Sequence, residues 1–225
     1  MAKKSLKGGE YERLICKALS LWYSRNKRDD IFWRTAGSGA RATTRKKAGK
    51  KTADSVGDVS AIHPTGKKFT RLVNIEIKRG YTKRVAKNDE ISILNLIDRM
   101  YGKRKVKPPV LIRWIRKAMK EARLHGRKHS LIIFRRDRKR SCVVMLSKTF
   151  ELLQNNHRPF IFPHDGQYCI VQYKRYEMVI LRLEDFLEWC PPKAFFKKIT
   201  RVTNRPKYMV GKYSKNACTF PKGFC

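Results

Sequence analysis

Acidic residues are what this sequence lacks most. Eighteen Asp and Glu stand against fifty-four Lys and Arg in 225 residues, a formal net charge of +36. An excess this large repels itself in a compact fold unless a polyanion neutralises it. Nucleic acid is the usual polyanion, because each neutralised phosphate releases condensed counterions. Long apolar runs are missing too: no stretch reaches the roughly 18 residues needed to cross a bilayer, so no membrane partner is expected. The N-terminal Met-Ala-Lys-Lys-Ser-Leu-Lys is basic with no apolar run behind it, which argues against a secretory leader. The six cysteines form no C-x-x-C pair, and with five scattered histidines they offer no zinc spacing. The expected setting is a reducing one: cytoplasmic, nucleoid-associated or virus-encoded within a host cell, and not secreted. What remains is 41% hydrophobic and 11% aromatic, enough for a real core.

Periodicity locates the elements. Tyr11, Leu14, Ile15, Ala18, Leu19 and Trp22 recur at helical spacing across residues 10–23, with Glu12 beside that stripe. Ile31 to Thr35 reads as a short strand stopped by Gly37-Ser38-Gly39. Residues 40–56 carry Arg41, Arg45, Lys46, Lys47, Lys50 and Lys51 against Asp54 alone, which predicts a mobile loop ordered by phosphates. Val56 to Ile62 reads as a strand, Pro64-Thr65-Gly66 as a turn, and Leu72 to Lys78 as a second strand. In that strand Val73, Ile75 and Ile77 face one side, and Asn74, Glu76 and Lys78 the other.

Further on, helices are expected over Ile91–Tyr101 and from Pro108-Pro109 to about Leu124. Strands over Ser130–Arg135 and Ser141–Leu146 follow, then a short helix from Ser147. A hairpin is expected around Asp165-Gly166, joining Phe160–Pro163 to Gln167–Tyr173. Met178–Leu181 reads as a strand and Glu184–Trp189 as a closing helix before Pro191-Pro192. The last 35 residues hold nine Lys or Arg and no acid, the composition of a nucleic-acid-binding tail. The division this suggests is a core over 1–146, a β-rich extension over 147–190 and a flexible basic tail over 191–225.

With acids so scarce, their positions matter. Strand period two puts the Glu76 carboxylate and the Lys78 ammonium on one face. Asp58 reaches the same face if its strand is an antiparallel neighbour. Two carboxylates suit a hard cation such as Mg²⁺, which keeps several waters and takes its remaining ligands from a phosphate. The metal polarises the phosphoryl oxygen and acidifies a water, and an ammonium nearby steadies the developing charge. Glu-x-Lys alone reads more readily as an ordinary exposed ion pair of little worth.

Order adds to this. Lys7-Gly8-Gly9-Glu10-Tyr11-Glu12-Arg13 opens the first helix, and Arg34-Thr35-Ala36-Gly37-Ser38-Gly39 follows the first strand. Gly57-Asp58-Val59-Ser60-Ala61 and Asn74-Ile75-Glu76-Ile77-Lys78 come next. In this sequence the motifs resemble the PD-(D/E)XK nuclease superfamily, most closely the archaeal-type Holliday-junction resolvases, over about residues 7 to 135. The resemblance implies an α/β (α+β) fold: a restriction-endonuclease-like mixed sheet flanked by helices, here extended by the β-rich segment and basic tail. It implies that Asp58 and Glu76 ligate Mg²⁺ (or Mn²⁺) and that Lys78 positions the attacking water. Glu12, rather than its rival Glu10, would complete the acidic set through a metal-bound water. Arg13 would hold Glu12 or touch phosphate, and Ser38 would contact the cleaved strand. Arg34 and the basic loop residues Arg41, Arg45, Lys46, Lys47, Lys50 and Lys51 would bind the nucleic acid. Lys117 and Lys120, on the polar face of the later helix, are further candidates, though a solvated basic face explains each better.

Gly57 stands where the family usually has proline, and residues 140–225 have no counterpart in the resolvases. The expected function is a Mg²⁺-dependent DNA endonuclease acting on branched or duplex DNA, a homodimer by the same resemblance. The alternatives are an idle nucleic-acid-binding protein of the same fold, a nuclease for linear duplex, and an RNA- or ribosome-associated basic protein.

Overall fold

A computed structural model describes residues 6–35, 56–79, 108–136, 139–157 and 168–197. The helix expected over Ile91–Tyr101, the loop 40–55, the strand Phe160–Pro163 and its turn at Asp165-Gly166 lie outside the described residues.

The chain begins with α1 (Leu6–Ser24). Its buried line is narrower than periodicity predicts. Tyr11, Ile15, Cys16 and Leu19 are buried, but Leu14 is 55% exposed. Two adjoining rows, Tyr11-Ile15-Leu19 and Cys16-Ser20, make the buried stripe, and Leu14 lies outside it. Ser20 Oγ donates to the Cys16 carbonyl (2.8 Å) and accepts the Phe32 amide (2.9 Å), which ties α1 to the next strand. That strand, β1 (Phe32–Arg34), pairs antiparallel with β2 (Val59–Ala61) in a separate two-stranded sheet.

A 3₁₀ turn (Pro64–Gly66) and a short helix, α2 (Lys67–Leu72), then lead into β3 (Val73–Arg79). Here the structure corrects the expectation of two antiparallel neighbours joined by a turn. A helix fills the connection, β2 pairs with β1, and β3 pairs in parallel with β4 (His129–Arg135). The five-stranded sheet has the order β3-β4-β5-β7-β6, with β5 (Cys142–Leu146), β6 (Cys169–Tyr173) and β7 (Tyr176–Arg182) all antiparallel to their neighbours. A two-residue hairpin at Lys174-Arg175 links β6 to β7, with Lys174 at φ 51°.

Helices cover both faces. α3 (Val110–Leu124) lays Ile112, Ile115 and Ala118 on Ile132, Val144 and Met178. Against the other face pack α1, α4 (Ser147–Asn156) and α5 (Leu183–Trp189), through Ile15, Leu19, Phe150, Leu153 and Phe186. This is the mixed sheet flanked by helices that the resemblance implies, and β6 and β7 extend that one sheet. Pro191 to Lys197 differ from the expected tail, because a 3₁₀ turn (Pro192–Phe195) buries Ala194 and Phe195. Phe195 stacks edge-on against Phe69 at 5.4 Å, in an aromatic cluster with Trp22, Tyr23 and Phe32. Residues 198–225 lie outside the described residues. None of the described helices is long and apolar enough to cross a membrane.

Candidate active site

β3 is an edge strand of the large sheet, and the candidate site gathers on it. Its alternation is as expected: Val73, Ile75 and Ile77 join the core shared with α1, while Asn74 donates to the Ala118 carbonyl of α3 at 3.0 Å. Glu76 and Lys78 follow Asn74 on the α3 side.

Asp58 reaches β3 without belonging to a ladder with it. Its amide donates to the Ile75 carbonyl (2.8 Å), and its carbonyl accepts the Thr35 amide (3.0 Å). One residue thereby bridges the small sheet and the large one. The approach depends on Gly57, which sits at φ +74°; a Cβ there would meet the Ile75 carbonyl oxygen at 2.7 Å. Glycine adopts this backbone at no steric cost. Proline, fixed near −65°, does not fit this backbone. Arg127 clamps the same junction, its buried guanidinium donating to the Val56 carbonyl (3.0 Å) and the Val73 carbonyl (3.3 Å).

The Asp58 carboxylate accepts the Ile77 amide at 2.7 Å and the Lys78 ammonium at 3.3 Å. Glu76 accepts the same ammonium at 2.6 Å. Asp58, Glu76 and Lys78 are therefore brought together, both carboxylates converging on one positive charge. Glu76 is 2% exposed, and burial pushes its carboxyl above the ordinary range against the pull of Lys78 and Lys117. Burial works against the Lys78 charge as well, but Asp58 and Glu76 outweigh it and hold the ammonium above its usual value.

Glu12 stands slightly apart, paired with Arg34 Nε at 3.4 Å. Burial first and the Asp58 charge second raise its carboxyl. Its rival Glu10 is far more exposed and, among the described residues, pairs with Arg79 at 3.9 Å. Arg13 is exposed. Arg34, expected to face nucleic acid, holds Glu12. Ser38, Arg41, Arg45, Lys46, Lys47, Lys50 and Lys51 lie outside the described residues. On α3 the two lysine candidates separate. Lys117 approaches Glu76 (3.8 Å) and Glu121 (3.6 Å), while Lys120 turns to the opposite flank of the helix.

Glu121 was missed by sequence reasoning. Its Oε2 is buried without a hydrogen-bond partner, and the side chain raises the Glu76 carboxyl further. A bond between the two requires that one carboxyl keep its proton. The available signal was the scarcity of acids, which makes a glutamate one turn after Lys117 notable.

Among the described residues no three His, Cys, Asp or Glu side chains are close enough together to enclose an ion. The expected trio of Asp58, Glu76 and Glu12 is thus not assembled as a cage. Mg²⁺ does not demand one, since it is commonly held by one or two carboxylates, waters and a substrate phosphate. The donor set fits such an ion: two hard carboxylates aimed at one cationic point, with an unpartnered buried carboxylate oxygen on the neighbouring helix.

Over residues 3–197 the chain matches the family described as "Phage putative PDDEXK endonuclease". The chain belongs to this family. The PD-(D/E)XK assignment carries with it a nuclease and a nucleic-acid substrate class. The match also runs through α4, β6, β7 and α5, the region without a counterpart in the resolvase resemblance. No match was found among curated proteins or among solved structures.

Proposed function

We propose that this PD-(D/E)XK family member is a divalent-metal-dependent DNA endonuclease whose centre is Asp58, Glu76 and Lys78, with Glu12 and Arg34 at its margin. The carrying observation is the convergence of the Asp58 and Glu76 carboxylates on Lys78 at 3.3 and 2.6 Å. In a chain of net charge +36, two buried acids at a phosphate-attracting surface are costly unless a cation serves them. Mg²⁺, or Mn²⁺ in its place, bound at Asp58 and Glu76 supplies Lewis acidity for the scissile phosphoryl oxygen and lowers the pKa of a water.

The remaining work falls to the chain. Lys78, charged at neutral pH, orients the water and stabilises negative charge as the water oxygen adds to phosphorus and the bond to the leaving sugar oxygen breaks. The water's proton leaves to solvent, and the leaving oxygen takes one up. Glu12, held by Arg34, keeps the approach acidic, and the resemblance supports Arg34 as a phosphate contact beside the cut. The resemblance to junction resolvases supports a branched DNA substrate and a homodimer that presents two centres to two strands.

The test is cleavage of labelled four-way-junction and linear duplex DNA with Mg²⁺, with EDTA and with Asp58→Asn. The expected result is junction cleavage that both EDTA and the substitution abolish while binding persists. Equal cutting of linear duplex would retain the chemistry and discard junction selectivity. Tight binding with no cutting of either would overturn the nuclease assignment of this centre.

A further inference from the structure

The flank of α3 turned away from Glu76 borders a groove of about 910 Å³, closed by the start of α4 and the β6–β7 hairpin. Arg116, Lys120 and Arg123 line it from α3, Lys148 from α4 and Arg175 from the hairpin. Two carboxylates, Glu151 and Glu177, share the wall. None of the five cations is ion-paired among the described residues. Arg116 and Arg175 instead sit over the Tyr176 ring, each at 5.4 Å, which holds their guanidinium groups at the groove.

The first turn of α4 opens into this space. It carries no side-chain cap and no acid. Its leading amides have no intrahelical partner, and the helix dipole adds positive potential there. Ser147, the first helical residue, is 8% exposed and lines the groove, yet its hydroxyl oxygen has no hydrogen-bond partner. Buried hydroxyls are normally satisfied. A buried free hydroxyl, uncapped amides and five cations around one opening are the donor set for a phosphate.

We propose that the N-terminus of α4, with Ser147 and the surrounding cations, is a second phosphate-binding site that grips the nucleic-acid backbone away from the scissile bond. The site rests on the nuclease reading only for the identity of its ligand as a substrate phosphate. α3 separates it from the carboxylate–lysine centre, so one helix presents Lys117 to the cut and Arg116, Lys120 and Arg123 to the flanking backbone.

The test uses the full chain in EDTA, where cleavage plays no part. Binding of a labelled duplex is followed by anisotropy from about 50 to about 200 mM salt. Arg116→Gln/Lys120→Gln/Arg123→Gln removes three exposed groove cations. Arg25→Gln/Lys27→Gln/Lys67→Gln removes three exposed cations on the α1–α2 side of the sheet. The groove variant should lose roughly tenfold or more in affinity, and its log–log salt slope should shrink by about two, near 0.9 per lost phosphate contact. The control should change little. Equal losses in both variants, or none in the groove variant, would overturn the site. Inorganic phosphate binding, measured by calorimetry, that the groove variant loses while DNA affinity holds would overturn the backbone assignment in favour of a free anion. With Mg²⁺ and saturating protein, the groove variant should cut at the wild-type rate; a lost rate with unchanged affinity would place these residues in the chemistry and overturn the proposal. A wild-type chain that binds but never cuts would sink the nuclease reading and leave the anisotropy comparison to decide the groove.

Discussion

Glu76 is the residue on which stability and chemistry pull in opposite directions. It is buried, and both burial and Glu121 raise its carboxyl above the ordinary range. A carboxyl raised by folding adds stability below its unfolded pKa, and that contribution is lost as pH rises through the folded value. The metal-free protein should therefore lose melting temperature as pH climbs through the elevated Glu76 range, and Mg²⁺ should restore more of it at pH 8 than at pH 5. Glu76→Gln should flatten that slope and raise the metal-free Tm at pH 8 while abolishing cleavage; a lower Tm would refute the view that the ionised carboxylate is a cost. Lys78 gives the opposite case. Its raised value means its contribution persists through neutrality and fails only in strong alkali. Lys78→Gln leaves two buried carboxylates without their shared cation, a loss on the order of 3 kcal/mol, which thermal melts would read directly. Glu76 and Lys78 were legible in the sequence because strand alternation fixes a face. Glu121 was not, because its role depends on how α3 is rotated against β3.

At the scale of elements, the turn before β2 does what a sheet ladder was expected to do. Sequence periodicity made two adjacent strands of Val56–Ile62 and Leu72–Lys78. The structure inserts α2 between them and joins them through the Asp58 amide and the Ile75 carbonyl. Gly57 makes this possible, so a proline at this position should harm rather than help. Gly57→Pro should cost at least about 1–3 kcal/mol from backbone strain alone and should uncouple Asp58 from β3. Circular-dichroism melts and Mg²⁺ titration would show it; an unchanged Tm with full activity would mean the turn is not needed. The helices α1 and α3 were readable from their apolar spacing, and α4 and α5 were placed with them. The exposure of Leu14 was not readable, because a 3.6-residue period marks which residues share a face and not how much of that face a neighbour covers.

The whole molecule is governed by its charge. With a net +36, binding to nucleic acid should weaken by on the order of a thousandfold between about 50 and about 200 mM salt if six or more phosphates are engaged. A nearly flat dependence would contradict backbone tracking. Truncation separates fold from tail: removing residues after Cys190 takes away Ala194 and Phe195, which pack into the core beside Phe69, and should destabilise the fold. Removing residues after Lys197 deletes seven Lys or Arg and should leave Tm within about a degree while reducing DNA affinity. A large Tm loss in the shorter truncation would assign the last 28 residues to the fold.

The sequence by itself determined the partner class, most of the described helices and strands, and the shared face of Glu76 and Lys78. Charge composition, apolar period and strand alternation are local properties, legible wherever packing does not override them as it does at α2 and Leu14. Only the tertiary structure decided how Asp58 meets β3, that Glu12 pairs with Arg34, that Glu121 joins the acids and that Ser147 opens into a cationic groove. Each of these depends on contacts between residues distant in the chain, set by how helices rotate and strands order around one core. Spacing along the sequence carries no record of that.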